Sequence, residues 1–170
     1  METTQTQEKS PMIAEPQKEH RWLQKLVGEW TMEAEMAEPG KPPEKSRGTE
    51  SVRSVGDLWI VAEGQGEMPG MGPIATRLTL GYDPKKGRYV GAWVDSMMAY
   101  LWTYYGELDA SERKLTLHTE GPSMAGDGSM AEYRETIEFK SDDQRVWTSS
   151  VLGDDGKWTQ FMSMSFRRRK

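Results

Sequence analysis

From Trp30 to the C-terminus, clusters of turn-forming residues cut the sequence at near-regular intervals, and between the cuts side chains alternate with a period of two. The clusters are Pro39-Gly40 with Pro42-Pro43, Gly56-Asp57, Pro69 to Pro73, Asp83 to Gly87, Asp109 to Glu112, Gly121 to Gly128, Ser141 to Gln144 and Gly153 to Gly156. About ten candidate strands lie between them, at 30–37, 46–55, 58–66, 74–82, 88–96, 100–108, 113–120, 130–139, 144–152 and 157–167. No crossover helix separates them, so consecutive strands are expected to pair antiparallel. An up-and-down meander this long leaves exposed edges unless it closes. The expected fold is therefore an all-β, about ten-stranded antiparallel β-barrel.

One short helix precedes the first strand, from residue 17 to about 27. Pro16 suits the first helical turn, Trp22, Leu23, Leu26 and Val27 share one face, and Gly28 ends the helix. That face is expected to cap one end of the barrel. Residues 1–16 are polar and unpatterned and read as a disordered tail, which leaves 17–170 as a single domain.

Composition excludes several classes. The chain has 170 residues, no cysteine and a net charge of −5. A disulfide scaffold, a cysteine-ligated metal and a thiol nucleophile are out. Net acidity argues against nucleic-acid binding, and a mean hydropathy of −0.79 without a long apolar run argues against a membrane span. The segment 1–16 holds no apolar core beyond Met12–Ala14, so no signal peptide is expected and the expected address is cytoplasmic. Seven tryptophans and seventeen glycines against three phenylalanines fit tight turns around an aromatic interior.

Turn length fixes register, and register carries a face assignment from strand to strand. A four-residue loop from Pro84 to Gly87 sets Tyr82 opposite Tyr89 and Leu78 opposite Trp93. Thr76, Leu78, Leu80, Tyr82, Tyr89, Gly91, Trp93 and Asp95 then face inward. Pairing of Leu108 with Leu115 puts Trp102, Tyr104, Leu117 and Thr119 inside and Tyr105, Glu107 and His118 outside. Pairing of Phe139 with Val146, Thr148 with Met162 and Ser150 with Gln160 extends the inner face. It gains Tyr133, Glu135, Ile137, Val146, Thr148, Ser150, Trp158, Gln160, Met162, Met164 and Phe166. The face of 58–66, with Trp59, stays open.

An apolar interior with sparse polar groups is the usual make-up of a small-molecule site. The expected ligand-binding residues are Trp30, Trp93, Asp95, Trp102, Tyr104, Tyr133, Glu135, Gln160, Met162 and Met164. Asp95 and Glu135 are also the only catalytic candidates, as a carboxylate pair with one raised pKa; the alternative for either is simple pairing with an arginine such as Arg53 or Arg134. His20, near the helix face that meets the barrel, reads as structural and His118 as solvated. No metal-ligand spacing is present, and no metal site is expected.

Leu26-Val27-Gly28-Glu29-Trp30, a short helix running into Gly-x-Trp and the first strand, resembles the opening motif of calycin-type barrels: lipocalins, fatty-acid-binding proteins and nitrobindins. The lipocalin likeness implies a C-terminal arginine packed over Trp30, for which Arg167 and Arg168 are candidates. The nitrobindin likeness implies haem on a late-strand histidine; no histidine follows His118, so no haem or other cofactor is expected. More closely, the chain resembles a bacterial family known as domain of unknown function 1579. The matching pieces are Pro16-Gln17-Lys18-Glu19-His20 with Leu23, Leu26, Gly28 and Trp30; Leu80-Gly81-Tyr82-Asp83-Pro84; Arg88-Tyr89-Val90-Gly91; Leu152-Gly153-Asp154-Asp155-Gly156; and Phe166-Arg167-Arg168. That resemblance supports the calycin-like fold and implies no activity.

Three functional readings stand at this point. The first is a barrel that binds a small apolar ligand, with no membrane and no nucleic-acid partner. The second is an enzyme, an isomerase or hydrolase, using the interior carboxylates as acid and base. The third is a filled barrel acting as an interaction or homodimerisation module through an outer patch of Trp147, Val151 and Phe161.

Overall fold

The computed structural model describes residues 10, 12–38 and 40–170. The expected tail at 1–16 falls largely outside the described residues. A helix α1 (Lys18–Gln24) leads into ten strands: β1 (Gly28–Met36), β2 (Glu44–Val55), β3 (Trp59–Met68), β4 (Gly72–Asp83), β5 (Arg88–Asp95), β6 (Trp102–Leu108), β7 (Lys114–Pro122), β8 (Met130–Ser141), β9 (Gln144–Leu152) and β10 (Trp158–Arg168). Each strand pairs antiparallel with the next, and β1 pairs with β10 from Trp30↔Arg168 to Met36↔Met162, which closes the barrel. Closure leaves no sheet edge unpaired.

The β4–β5 register is Tyr82↔Tyr89 and Leu78↔Trp93, with Gly87 at φ +64° in the connecting turn, and Leu108 pairs with Leu115. The open face of β3 is resolved: Ile60 and Ala62 are buried inside, and Trp59 lies outside against Gly81.

Two register shifts alter the inner face of the last strands. Phe139 pairs with Arg145, not Val146, because an extra residue, Lys140, bulges between Phe139 and Ser141. A bulge moves the following strand by one residue and so exchanges its faces. Arg145, Trp147 and Ser149 are therefore inside, not Val146, Thr148 and Ser150. A second shift at Phe161 restores the original parity: Gln160 still pairs with Ser150, but Met162 pairs with Ser149 and Thr148 with Ser163. Met162, Met164 and Phe166 keep their inward positions, whereas Trp158 and Gln160 are exposed, with Arg134 stacked over the Trp158 ring at 4.4 Å.

The same shifts dismantle the expected outer patch. Trp147 is 4 % exposed. The Phe161 ring packs 6.1 Å from that of Tyr133, an inner-face residue.

Helix α1 plugs one end. Trp22, Leu23 and Leu26 are buried, each such burial being worth roughly 1.5–3 kcal/mol. Three side chains pin the plug to backbone carbonyls. Trp22 Nε1 donates to Glu112 O at 2.6 Å, Tyr89 Oη to Glu19 O at 3.0 Å, and Trp30 Nε1 to Leu26 O at 2.8 Å. His20 is buried here as expected. Its Nδ1 accepts the Gln17 amide at 2.9 Å, and its Nε2 donates to Tyr82 O at 3.1 Å. Both ring nitrogens are spent on holding the helix. His118 lies outside, stacked on Tyr105 and 2.8 Å from Glu107.

Candidate functional site

The plugged half of the barrel is packed, and the other half is not. Inside the far end lies a cavity of about 410 Å³. Inward positions of β1 and β10 supply Met32, Met36, Met162 and Met164; Met68, Met97, Met98 and Met124 stand around the mouth. Eight of the twelve methionines thus line one cavity. Unbranched thioether side chains accept varied shapes at little cost.

Aromatic rings form the rest of the wall. Trp93 and Trp147 lie 5.8 Å apart and tilted by 36°, and Trp102 meets Tyr133 edge-on at 5.2 Å. Gly121 makes room for Trp102: a Cβ there would strike the indole ring.

The structure brings together most of the residues expected at the site. Trp93, Asp95, Trp102, Tyr104, Tyr133, Glu135, Met162 and Met164 all line the cavity. Gln160 does not, because the Phe161 bulge turns it outward. Trp30 is inside the barrel but below the cavity, fully buried, with the guanidinium groups of Arg145 and Arg168 stacked on its ring at 4.5 and 4.3 Å. The C-terminal arginine expected over Trp30 is therefore Arg168.

The polar groups have distinct settings. Asp95 sits on the rim and organises it: Oδ2 accepts Trp93 Nε1 at 3.1 Å, and Oδ1 accepts the amides of Met97 and Met98 at 2.8 and 3.0 Å. Glu135, 8 % exposed, lies deeper. Its Oε2 accepts from Trp147 Nε1 at 3.0 Å and from the Ser149 hydroxyl. Burial pushes its carboxyl up to about 7, against the opposing effect of those two hydrogen bonds. Burial, followed by the nearby charges of Glu135 and Asp95, also raises the Tyr104 phenol. Among the described residues neither acid pairs with an arginine: Arg53 is bonded to Glu63 at 3.0 Å, and Arg134 covers Trp158.

Sequence reasoning missed Glu50, Arg145, Trp147 and Ser149. Glu50 borders the cavity and forms a buried ion pair with Arg145, whose guanidinium is held between the rings of Trp30 and Phe166. One signal was present in the sequence. Trp147 shares its parity with Val151, and the bulkiest residue of a strand points inward more often than a run of Val146, Thr148 and Ser150.

A closed, end-plugged antiparallel barrel with a lined cavity is a calycin-like architecture. The chain belongs to the family described as "Protein of unknown function (DUF1579)", which matches residues 15–168. A search of curated proteins finds no match. Among solved structures, Rv2717c from M. tuberculosis is similar with a TM-score of 0.65 at 12 % identity, covering 92 % of this chain and 100 % of that one. The S-type phycobiliprotein lyase CPES from Guillardia theta is similar with a TM-score of 0.59 at 17 % identity, covering 91 % and 99 %. At these identities the likeness is one of fold. Among the described residues, no helix is long and apolar enough to cross a membrane.

Proposed function

We propose that this protein binds a small, largely apolar molecule in the barrel, with Trp93, Trp102, Tyr133, Met162 and Met164 as walls and Glu135 and Tyr104 orienting a polar group. The observation that carries this reading is the 410 Å³ cavity itself, lined by thioethers and indoles and interrupted by few polar atoms. A barrel built only as a filled scaffold has no use for such a volume, since interiors otherwise pack to crystal density. The lyase with a similar barrel illustrates one use of the fold and adds no argument about the ligand of this one. Native mass spectrometry of freshly purified protein tests the reading, together with tryptophan fluorescence on adding fatty acids, retinoids and haem. A co-purifying mass or a spectral shift supports it. An unliganded mass and no shift with any compound refute it.

A second reading is favoured by one observation: Glu135, held near 7, shares its cavity with Asp95. A carboxyl so placed is matched to acid–base work at neutral pH. On this reading Glu135 is the group that gains and loses the proton. Asp95, with three donors on its oxygens, holds the rim. Turnover of a small substrate that is lost in Glu135→Gln but kept in Asp95→Asn distinguishes this role from simple binding.

A further inference from the structure

The lining of the cavity carries four carboxylic acids and, among the described residues, no lysine, arginine or histidine. Glu50 is neutralised by Arg145, which is itself outside the lining. Of the other three, Glu67 at the mouth is exposed and also borders Lys45 and Arg47 outside, whereas Asp95 on the rim and Glu135 in the interior have no cation against them in the cavity.

Two polar groups of the cavity wall have hydrogen-bonding capacity to spare. Glu135 uses Oε2 for both of its hydrogen bonds, and its Oε1 has no partner among the described residues. Tyr104, 7 % exposed and on the same wall, makes no hydrogen bond among them either. Neither oxygen is among the buried side-chain atoms left without a partner, so both are reachable from the cavity that their residues line, where a ligand group can meet them.

The chemistry of that group is set by its surroundings. An anionic head would stand beside carboxyl groups with no positive charge to receive it, which costs binding rather than adding to it. A cationic head meets an acid that can ionise to receive it, and the faces of Trp93, Trp102 and Trp147 attract positive charge through their ring quadrupoles.

We propose that the cavity selects an amphiphilic organic cation, an alkyl- or arylammonium whose apolar body fills the methionine- and tryptophan-lined volume and whose head stands against Glu135 and Tyr104. This rests on the ligand-binding reading and narrows it by charge.

The test uses the full chain at neutral pH and three ligands with one tail: octyltrimethylammonium, 1-octanol and octanoate. Affinities are read by tryptophan fluorescence and calorimetry. The cation is expected to bind about fivefold or more tighter than the alcohol, with octanoate weakest. A smaller preference, or tighter binding of octanoate, overturns the charge selection and leaves the apolar-ligand reading standing. No binding of any of the three overturns both. Glu135→Gln keeps an acceptor for Trp147 and Ser149 and is expected to bring the cation down to the affinity of the alcohol. A preference that survives in Glu135→Gln removes Glu135 as the counter-ion. Should that variant not fold, the order of the three wild-type affinities decides the matter alone.

Discussion

Trp147 Nε1 and Glu135 Oε2 stand 3.0 Å apart on the inner faces of adjacent strands. The contact exists because the Lys140 bulge turns Trp147 inward. It ties a tryptophan, the natural reporter of the cavity, to a buried carboxyl. Oε2 is held by Trp147 and Ser149, and burial rather than pairing sets the proton affinity of the carboxyl.

That setting has a definite sign in stability. Glu135 holds its proton up to about 7 in the folded chain, against an ordinary value of 4.5. Between those values the native state binds more protons than the unfolded one, so this group's contribution falls as pH rises through the interval and then levels. The expected outcome is that wild type loses stability relative to Glu135→Gln between pH 4.5 and 7. Urea unfolding of both proteins at the two ends measures it, and a difference that stays flat or grows in favour of wild type contradicts it.

The ion pair of Arg145 with Glu50 is buried, and its arginine is enclosed by Trp30 and Phe166. Removing one partner strands a charge. Arg145→Met alone is expected to cost about 3–5 kcal/mol, whereas Arg145→Met with Glu50→Leu recovers most of the loss. A double-mutant cycle by urea denaturation reads the coupling; additive losses would show that the pair is not coupled.

Arg168 closes the other side of Trp30. Its guanidinium donates to the carbonyls of Val27 at 2.7 Å, Lys25 at 2.9 Å and Asp142 at 3.0 Å, joining the end of α1, the start of β1 and the β8–β9 turn. Arg168→Ala is expected to cost about 2–3 kcal/mol. Arg168→Lys recovers only part, since one ammonium cannot serve three separated carbonyls while lying flat on an indole. Thermal melts of the two variants check the order.

Most of this architecture is legible in the sequence, for a local reason. Turn clusters such as Asp83 to Gly87 and Asp109 to Glu112 set both strand ends and register, and they place Trp93, Asp95, Trp102 and Tyr104 on the cavity wall. The errors begin where no turn residue marks an irregularity. Lys140 and Phe161 carry no local signature of a bulge, yet each exchanges the faces of the residues beyond it. Trp147 and Ser149 enter the site by that route, and Trp158 and Gln160 leave it. The Glu50–Arg145 pair spans 95 positions and is a product of closure, which no local pattern encodes.

Gly121 tests how finely the wall is fitted. Gly121→Ala drives a methyl group into the Trp102 ring. The expected outcome is a loss of about 1–3 kcal/mol, with a shifted tryptophan emission as Trp102 moves. An unchanged emission would mean that the ring is not held there.

The methionines give the most direct view of the cavity. In protein labelled with carbon-13 at the methionine methyls, titration with 1-octanol is expected to shift Met32, Met36, Met162 and Met164 in the interior and Met68, Met97, Met98 and Met124 at the mouth, while Met12, exposed and outside the lining, stays still. Shifts absent from all eight, or confined to methionines away from the cavity, would contradict binding inside the barrel.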